Sequence, residues 1–426
     1  MNKHNFEASR DYAQSMDAAD PLREYRDLFS LPMQRNGMSC IYLCGNSLGL
    51  QPNLAAQYVN EELQDWANLG VEGHLHARRP WLSYHRLATE NLAALTGSES
   101  HEVVAMNTLT VNLHLLMTTF YRPQGKRHKI VIESTAFPSD RFAVMSQLRL
   151  HGHDPEDAMI EWRPHETTEE LRSEDLQAIL DREGDEIALL LLPGVQYYSG
   201  QVLPMQQLCE MAKTAGCEIG LDLAHAIGNI ELRLHDWAPD FAAWCTYKYL
   251  NSGPGAIGGA FVHSRHLNAD GSEQLLGWWG HVEETRFKMG PTFTPAEGAD
   301  LWQLSNPPIL SLAPVLASLS IFAKAGIANL REKSVLLTGY MDYLLQKDFA
   351  GRIESITPAS ARGCQLSLVV RDPSLNARAI FETLEAQNVI TDWREPNVIR
   401  VAPVPLYNTF EDVFEFTQRL HKAVDA

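Results

Sequence analysis

Apolar residues along this chain follow two spacings. Over 55–69 (AAQYVNEELQDWANL) they recur at helical intervals, which predicts an amphipathic helix. Short, nearly continuous apolar runs with turn residues nearby follow at 129–132, 187–192, 218–223 and 241–246, and these read as strands buried on both faces. Helical stretches lie between the runs, 205–215 for example, which is the alternation expected of a largely parallel sheet with crossover helices. After Pro307 and Pro308 the pattern changes to two long helical segments, 312–324 and 330–346, then to strand-like runs at 365–370 and 398–401. The pattern predicts an α/β protein with a domain boundary near residue 310. Ligands in such sheets bind at the carboxyl ends of the strands.

Composition narrows the function classes. The 426 residues are 45% hydrophobic and 21% charged, values of an ordinary globular protein, and the length suits about two to three domains. A net charge of −18 repels a polyanionic backbone, so no nucleic-acid partner is expected. No run approaches about 20 consecutive apolar residues, and the opening MNKHNFEASRDYAQ lacks the apolar centre of a secretory signal. We expect a cytoplasmic location and no membrane association. The six cysteines are scattered without a CxxC pair, which predicts mostly buried, reduced thiols. Two histidine pairs, His74 with His76 and His151 with His153, lack ligand partners in a known pattern, and no metal is expected. Phosphate-loop and GxSxG patterns are absent from the sequence.

One pair of segments carries candidate chemistry. Asp222 opens DLAH at the end of a predicted strand, and Lys248 lies 26 residues on in YKYLNSGPG, after the next one. An aspartate at a strand end can hold a pyridinium nitrogen in its protonated form, and a lysine beside it can bond covalently to an aldehyde. The glycines from Gly253 to Gly259 allow tight turns or close backbone approach near the lysine. Alone, Lys248 would read as a surface lysine after a strand.

Further blocks narrow the choice. They are GNSLGLQP (45–52), GH and RPW (73–74, 79–81), NTLTVNLHLL (107–116), FPSD (137–140), DLAH, YKYLNSGPG, GWWGH (277–281), SNPP (305–308) and RVAPVPLYN (400–408). In this order the chain resembles the kynureninases, a family of fold-type-I pyridoxal-phosphate enzymes, from residue 45 to residue 408. The resemblance implies a large domain with a mostly parallel sheet and a smaller C-terminal α/β domain. We divide the chain into an N-terminal segment, 1–54, packing with the small domain, a large cofactor-binding domain, 55–310, and a small domain, 311–426.

The resemblance also implies roles. Lys248 matches the lysine that binds pyridoxal 5'-phosphate covalently, Asp222 the partner of the ring nitrogen, and Phe137 the aromatic stacked on the ring, with Pro138, Ser139 and Asp140 completing that loop. Leu109, Thr110, Tyr247 and Trp278 match phosphate-site residues, and His225 and Asn306 match further cofactor contacts. Read without the resemblance, Thr110 could equally be a helix N-cap, Phe137 and Trp279 core residues, Asp140 a turn aspartate and His225 a satisfied core histidine. Arg400 matches the clamp on the substrate α-carboxylate, a task suited to a planar guanidinium. Ser47, His74 and Asn306 match residues near the aromatic end of the substrate, where the histidine and asparagine resemble members that favour 3-hydroxykynurenine. The implied reaction is hydrolysis of the Cβ–Cγ bond of L-kynurenine or its 3-hydroxy form to an anthranilate and L-alanine, in tryptophan breakdown or NAD biosynthesis. Lys248, Tyr247 and Asp222 would be its catalytic residues, and a homodimer the working unit. Rival readings are an aminotransferase, a cysteine desulfurase and a non-catalytic cofactor binder.

Overall fold

The computed structural model describes residues 5–32, 40–165, 169–267 and 274–425. A seven-stranded sheet organises the larger part. Its strands are β1 (Val103–Ala105), β2 (Lys129–Glu133), β3 (Met159–Trp162), β4 (Ile187–Pro193), β5 (Glu218–Asp222), β6 (Phe241–Trp244) and β7 (Gly259–Val262), in the spatial order β1-β7-β6-β5-β4-β2-β3. Strands β2 to β6 run parallel to one another, whereas β7 is antiparallel to both β6 and β1.

All seven residues of β4 are buried, which explains its unbroken apolar sequence. Successive side chains of a strand point to opposite faces. Accordingly, Leu190 and Leu192 enter one core and Leu189 and Leu191 the other. Among the described residues the helices of ten or more residues are α1 (Arg10–Ala19), α2 (Asn53–Leu69), α3 (Leu109–Phe120), α4 (Pro138–Leu150), α5 (Ser173–Glu183), α6 (Met205–Ala215), α7 (Ile309–Ala325), α8 (Ile327–Phe349), α9 (Ala377–Ala386) and α10 (Phe410–Val424). Helix α6 stops at Gly216, whose left-handed backbone lets the chain turn straight into β5.

A second, antiparallel sheet, in the order β8 (Ile353–Ser355), β9 (Leu366–Val370), β11 (Val398–Val401) and β10 (Asp392–Arg394), packs with α8, α9 and α10 around its own core. The boundary expected near residue 310 falls at the start of α7. That helix lies along α2 and its buried side chains belong to the first core, while the second core draws on the chain from Leu337, within α8, with Cys364, Val404, Leu406 and Tyr407 returning to the first. The N-terminal segment serves both cores: Ala13, Ile41 and Leu43 enter the second, Leu22, Phe29 and Leu50 the first. No single helix among the described residues is long and apolar enough to cross a membrane.

Candidate active site

The sheet delivers its acidic strand ends to one place. Asp222 is the last residue of β5, paired with Pro193 of β4 on one side and Ala243 of β6 on the other. Its Oδ1 accepts the Ala224 N–H at 2.7 Å, which fixes the carboxylate at the sheet's carboxyl edge. Lys248 stands in the turn four residues past β6 and lines the same pocket as Asp222, Asp140 and His225. Its Nζ is 3.0 Å from His225 Nε2 and 5.9 Å from the ring centres of both Phe137 and Tyr247.

Burial governs the protonation of these groups. His225 is driven far below its ordinary pKa by burial, with the cations of Lys248, Arg400 and Arg394 acting in the same direction. The imidazole is therefore neutral, and its Nδ1 is buried without a hydrogen-bond partner. Asp140 is pushed well above the carboxylate range by burial and by the neighbouring Asp222. Burial likewise raises the phenol of Tyr247.

Two helices point their N-termini at the same pocket. The N-caps of α3 and α4, Thr108 and Phe137, make no side-chain capping bond, and the Leu109, Thr110 and Ser139 N–H groups are open to an anion, while the Asp140 N–H turns back to the Phe137 carbonyl at 2.9 Å. Thr110 is thus a first-turn residue and the N-cap is Thr108. The hydroxyls of Thr110 on α3 and Ser139 on α4 meet at 2.5 Å, where both could turn to an incoming phosphate. Pro138 occupies the first position of α4, where its missing N–H costs nothing, and does not line the pocket. Gly258 shows why one position of the glycine-rich tail excludes a side chain. A Cβ there would meet the Trp244 carbonyl at 2.4 Å and approach the Leu109 nitrogen at 3.5 Å.

Arg400 comes from β11 and is 1% exposed. Its Nη1 donates to the Tyr197 carbonyl at 2.7 Å, its Nη2 pairs with Asp392, and its Nε is buried without a partner. Tyr197 lines the Lys248 pocket, so the guanidinium sits against the pocket wall. Burial lowers its pKa to about 10, which leaves it charged at neutral pH. Phe137 is 41% exposed and stands edge-on to Tyr197 at 5.2 Å, open to a ring above it rather than buried in the core.

Three expected residues lie elsewhere. His74, Trp278 and Asn306 line a separate cavity of about 450 Å³ together with Val71, Leu75 and Phe287. Within one chain they do not join the Lys248 pocket. Trp279, by contrast, is buried, under the guanidinium of Arg286 at 4.2 Å. Ser47 is half-buried in the turn after Cys44, and its segment is tied to the lysine loop by the Gly49 N–H, which donates to the Tyr247 carbonyl at 2.8 Å. Sequence reasoning missed Glu133 and Tyr197, which line the pocket. Glu133 had a signal: IVIE ends β2 on an acid, as IGLD ends β5 on Asp222.

The donor set suits pyridoxal phosphate: open helix N-termini and hydroxyls for its phosphate, a strand-end aspartate for its ring nitrogen, a lysine for its aldehyde, and an unpaired buried imidazole nitrogen beside them. Among the described residues two groups of side chains could hold a metal by distance, Glu102 with His235 and His263, and Glu218 with Asp240 and His266; neither lines this pocket.

Comparison with known proteins gives the same direction. Residues 330–420 match the family model described as the kynureninase C-terminal domain. A kynureninase of Myxococcus xanthus is 51% identical over 417 residues, covering 97% of this chain and 97% of its own. Among solved structures, the cysteine desulfurase CsdA from Escherichia coli superposes with a TM-score of 0.75 at 16% identity, covering 95% of this chain and 98% of that one. A C-DES variant with glycine covalently linked to its PLP cofactor superposes at 0.73 with 18% identity, covering 89% and 96%. Those two likenesses speak to the fold, which is that of fold-type-I enzymes. With half of its residues identical over nearly the full length of the Myxococcus protein, this chain belongs to the kynureninase family.

Proposed function

We propose that the Lys248 pocket binds pyridoxal 5'-phosphate and hydrolyses the Cβ–Cγ bond of L-kynurenine or 3-hydroxy-L-kynurenine, releasing an anthranilate and L-alanine. The observation that carries this reading is the meeting of Lys248, neutral His225 and strand-end Asp222 in one buried pocket beneath two open helix N-termini. The cofactor, when bound, supplies an aldehyde that captures the substrate amine and a ring that accepts electrons from Cα.

The residues then divide the work. Asp222 holds the ring nitrogen in its protonated form. Phe137 covers the ring, and Leu109, Thr110 and Ser139 hold the phosphate through N–H and hydroxyl donors. Lys248 Nζ anchors the cofactor and afterwards moves the proton at Cα, with His225 Nε2 accepting its hydrogen bond and so aiming its lone pair. Arg400 clamps the α-carboxylate, for which its unpartnered Nε remains available. Tyr247, kept protonated by burial, donates the proton that completes L-alanine.

The second cavity supports a homodimer as the working unit. Val71, Leu75, Trp278 and Phe287 are each at least 47% exposed around His74 and Asn306, an apolar patch that a lone soluble chain rarely leaves open. In a homodimer the patch is covered, and His74, Trp278 and Asn306 reach the partner's pocket, where a donor or acceptor can meet a 3-hydroxyl group. We assign Ser47 to the substrate wall from its tether to the lysine loop. For organisation we keep a large cofactor domain and a C-terminal domain, each with its own core. Six unpaired cysteines suit a reducing, cytoplasmic compartment. Product analysis of the purified, cofactor-loaded protein tests the reading against its rivals: an exchanged amino group would indicate an aminotransferase, a persulfide a desulfurase, and bound cofactor without product a silent relative.

A further inference from the structure

Strand β2 brings into the Lys248 pocket a carboxyl group that the mechanism above leaves without a task. Glu133 is its last residue, 4% exposed, and it lines the pocket with Asp140, Asp222 and Lys248. The topology dictates this meeting. Both β2 and β5 flank β4, run parallel to it and end on an acid at the same edge of the sheet. Among the described residues, Glu133, Asp140 and Asp222 have no ion pair with any lysine, arginine or histidine. Three carboxyl groups thus share the neighbourhood of one ammonium group, and in a poorly solvated pocket they cannot all ionise.

We propose that Glu133 is a positioning residue that keeps its proton, so that the pocket places its negative charge on Asp222, where the cofactor's ring nitrogen is held. This rests on the cofactor reading of the pocket. The titratable groups lining the pocket with Glu133 are Asp222 from β5 and His225 just after it, Asp140 from α4, Tyr197 from the loop after β4, and Tyr247 and Lys248 from the loop after β6. On the neighbouring β3, its register partner is the buried, apolar Trp162, and Glu161 is engaged by Arg141 and Arg163.

Burial is the largest influence on Glu133, and the charge of Asp222 adds to it; together they lift the carboxyl to about 8 against a partial offset from its own backbone N–H. Asp140 moves the same way. When Glu133 ionises at higher pH, a second negative charge appears beside Asp222. That charge opposes an anionic phosphate.

Infrared difference spectra between the wild type and Glu133→Gln, recorded with and without pyridoxal phosphate, isolate the carbonyl band of this one side chain. We expect an acid band at neutral pH that titrates near pH 8, retained in Glu133→Asp and missing in Glu133→Gln. In parallel, the Kd for pyridoxal phosphate should rise by about tenfold between about pH 7 and about pH 9 in the wild type and stay flat in Glu133→Gln. A carboxylate band for Glu133 at neutral pH overturns the proposal. So does a Glu133→Gln protein that keeps the wild-type pH dependence of cofactor binding, an outcome that leaves the cofactor reading standing. Failure of the wild type to bind pyridoxal phosphate at any pH would sink that reading and this role with it.

Discussion

Lys248 Nζ lies 3.0 Å from His225 Nε2, and the imidazole is held neutral by burial and by that same lysine. A neutral ring with one nitrogen free to accept is a hydrogen-bond partner for the amine and not a competing cation. Replacing it with a shape that cannot accept in the same place, His225→Phe, should lower kcat by about 10²-fold while the cofactor remains bound. Single-turnover kinetics on the loaded protein check this.

The same histidine carries a pH signature in stability. Its folded pKa lies below the ordinary value near 6.5, so at acid pH the unfolded chain binds a proton that the native chain refuses. The contribution is therefore present above about pH 6.5 and is lost as pH falls toward the folded pKa. Chemical denaturation at several pH values should show a steeper acid loss in the wild type than in His225→Gln. Equal slopes would mean that the ring is charged in the native protein.

The role proposed for Arg400 is to bind a carboxylate, not the cofactor. Arg400→Lys should raise the apparent KM by about 10- to 100-fold with cofactor affinity little changed, because an ammonium cannot reproduce the planar fork. Steady-state kinetics and cofactor titration separate the two quantities. Loss of cofactor instead of substrate affinity would remove the clamp from this position.

Glu62 explains why GH and RPW belong to one block. Its buried carboxylate on α2 accepts from Arg79 Nε at 2.6 Å, Trp81 Nε1 at 3.0 Å and the Tyr84 hydroxyl at 2.9 Å. Trp81 in turn stands edge-on to His74 at 5.5 Å and fills the space over Gly73. Glu62→Ala strands three donors and should cost about 2–4 kcal/mol in denaturant unfolding, Arg79 keeping its pair with Glu61.

If His74, Trp278 and Asn306 act in the partner's pocket, two inactive variants repair one another. Lys248→Ala should be inactive alone, and so should Trp278→Ala if the tryptophan is needed for cofactor retention. After mixing, dissociation and reassociation, half the dimers are mixed and each carries one intact pocket, so about a quarter of the wild-type activity should return. No recovery from a mixed dimer verified by mass would place Trp278 in its own chain's site.

Much of this was legible before any coordinates. The parallel strands show themselves because burial on both faces demands unbroken apolar runs, and β4 is such a run. Asp222 and Lys248 follow from the position of strand ends. Strands β1 and β7 were not legible, since VVA and GAFV are too short for any period and owe their pairing to the sheet. Pro307 and Pro308 punctuate the chain near residue 310 without dividing its packing there, since α7 still lies on α2. Glu133 was passed over because an acid closing an apolar run reads locally as a turn residue, and its meeting with Asp222 depends on strand order. Exposed placement of His74 and Trp278 likewise depends on tertiary structure, which no local pattern carries.

The most direct measurement is turnover of the purified, cofactor-loaded protein with L-kynurenine and with 3-hydroxy-L-kynurenine, following the anthranilate and L-alanine together. Both products are expected in equal amounts from at least one substrate, with none from Lys248→Ala. Cofactor bound at Lys248 without product from either substrate would leave the fold and the pocket in place and contradict the assigned reaction.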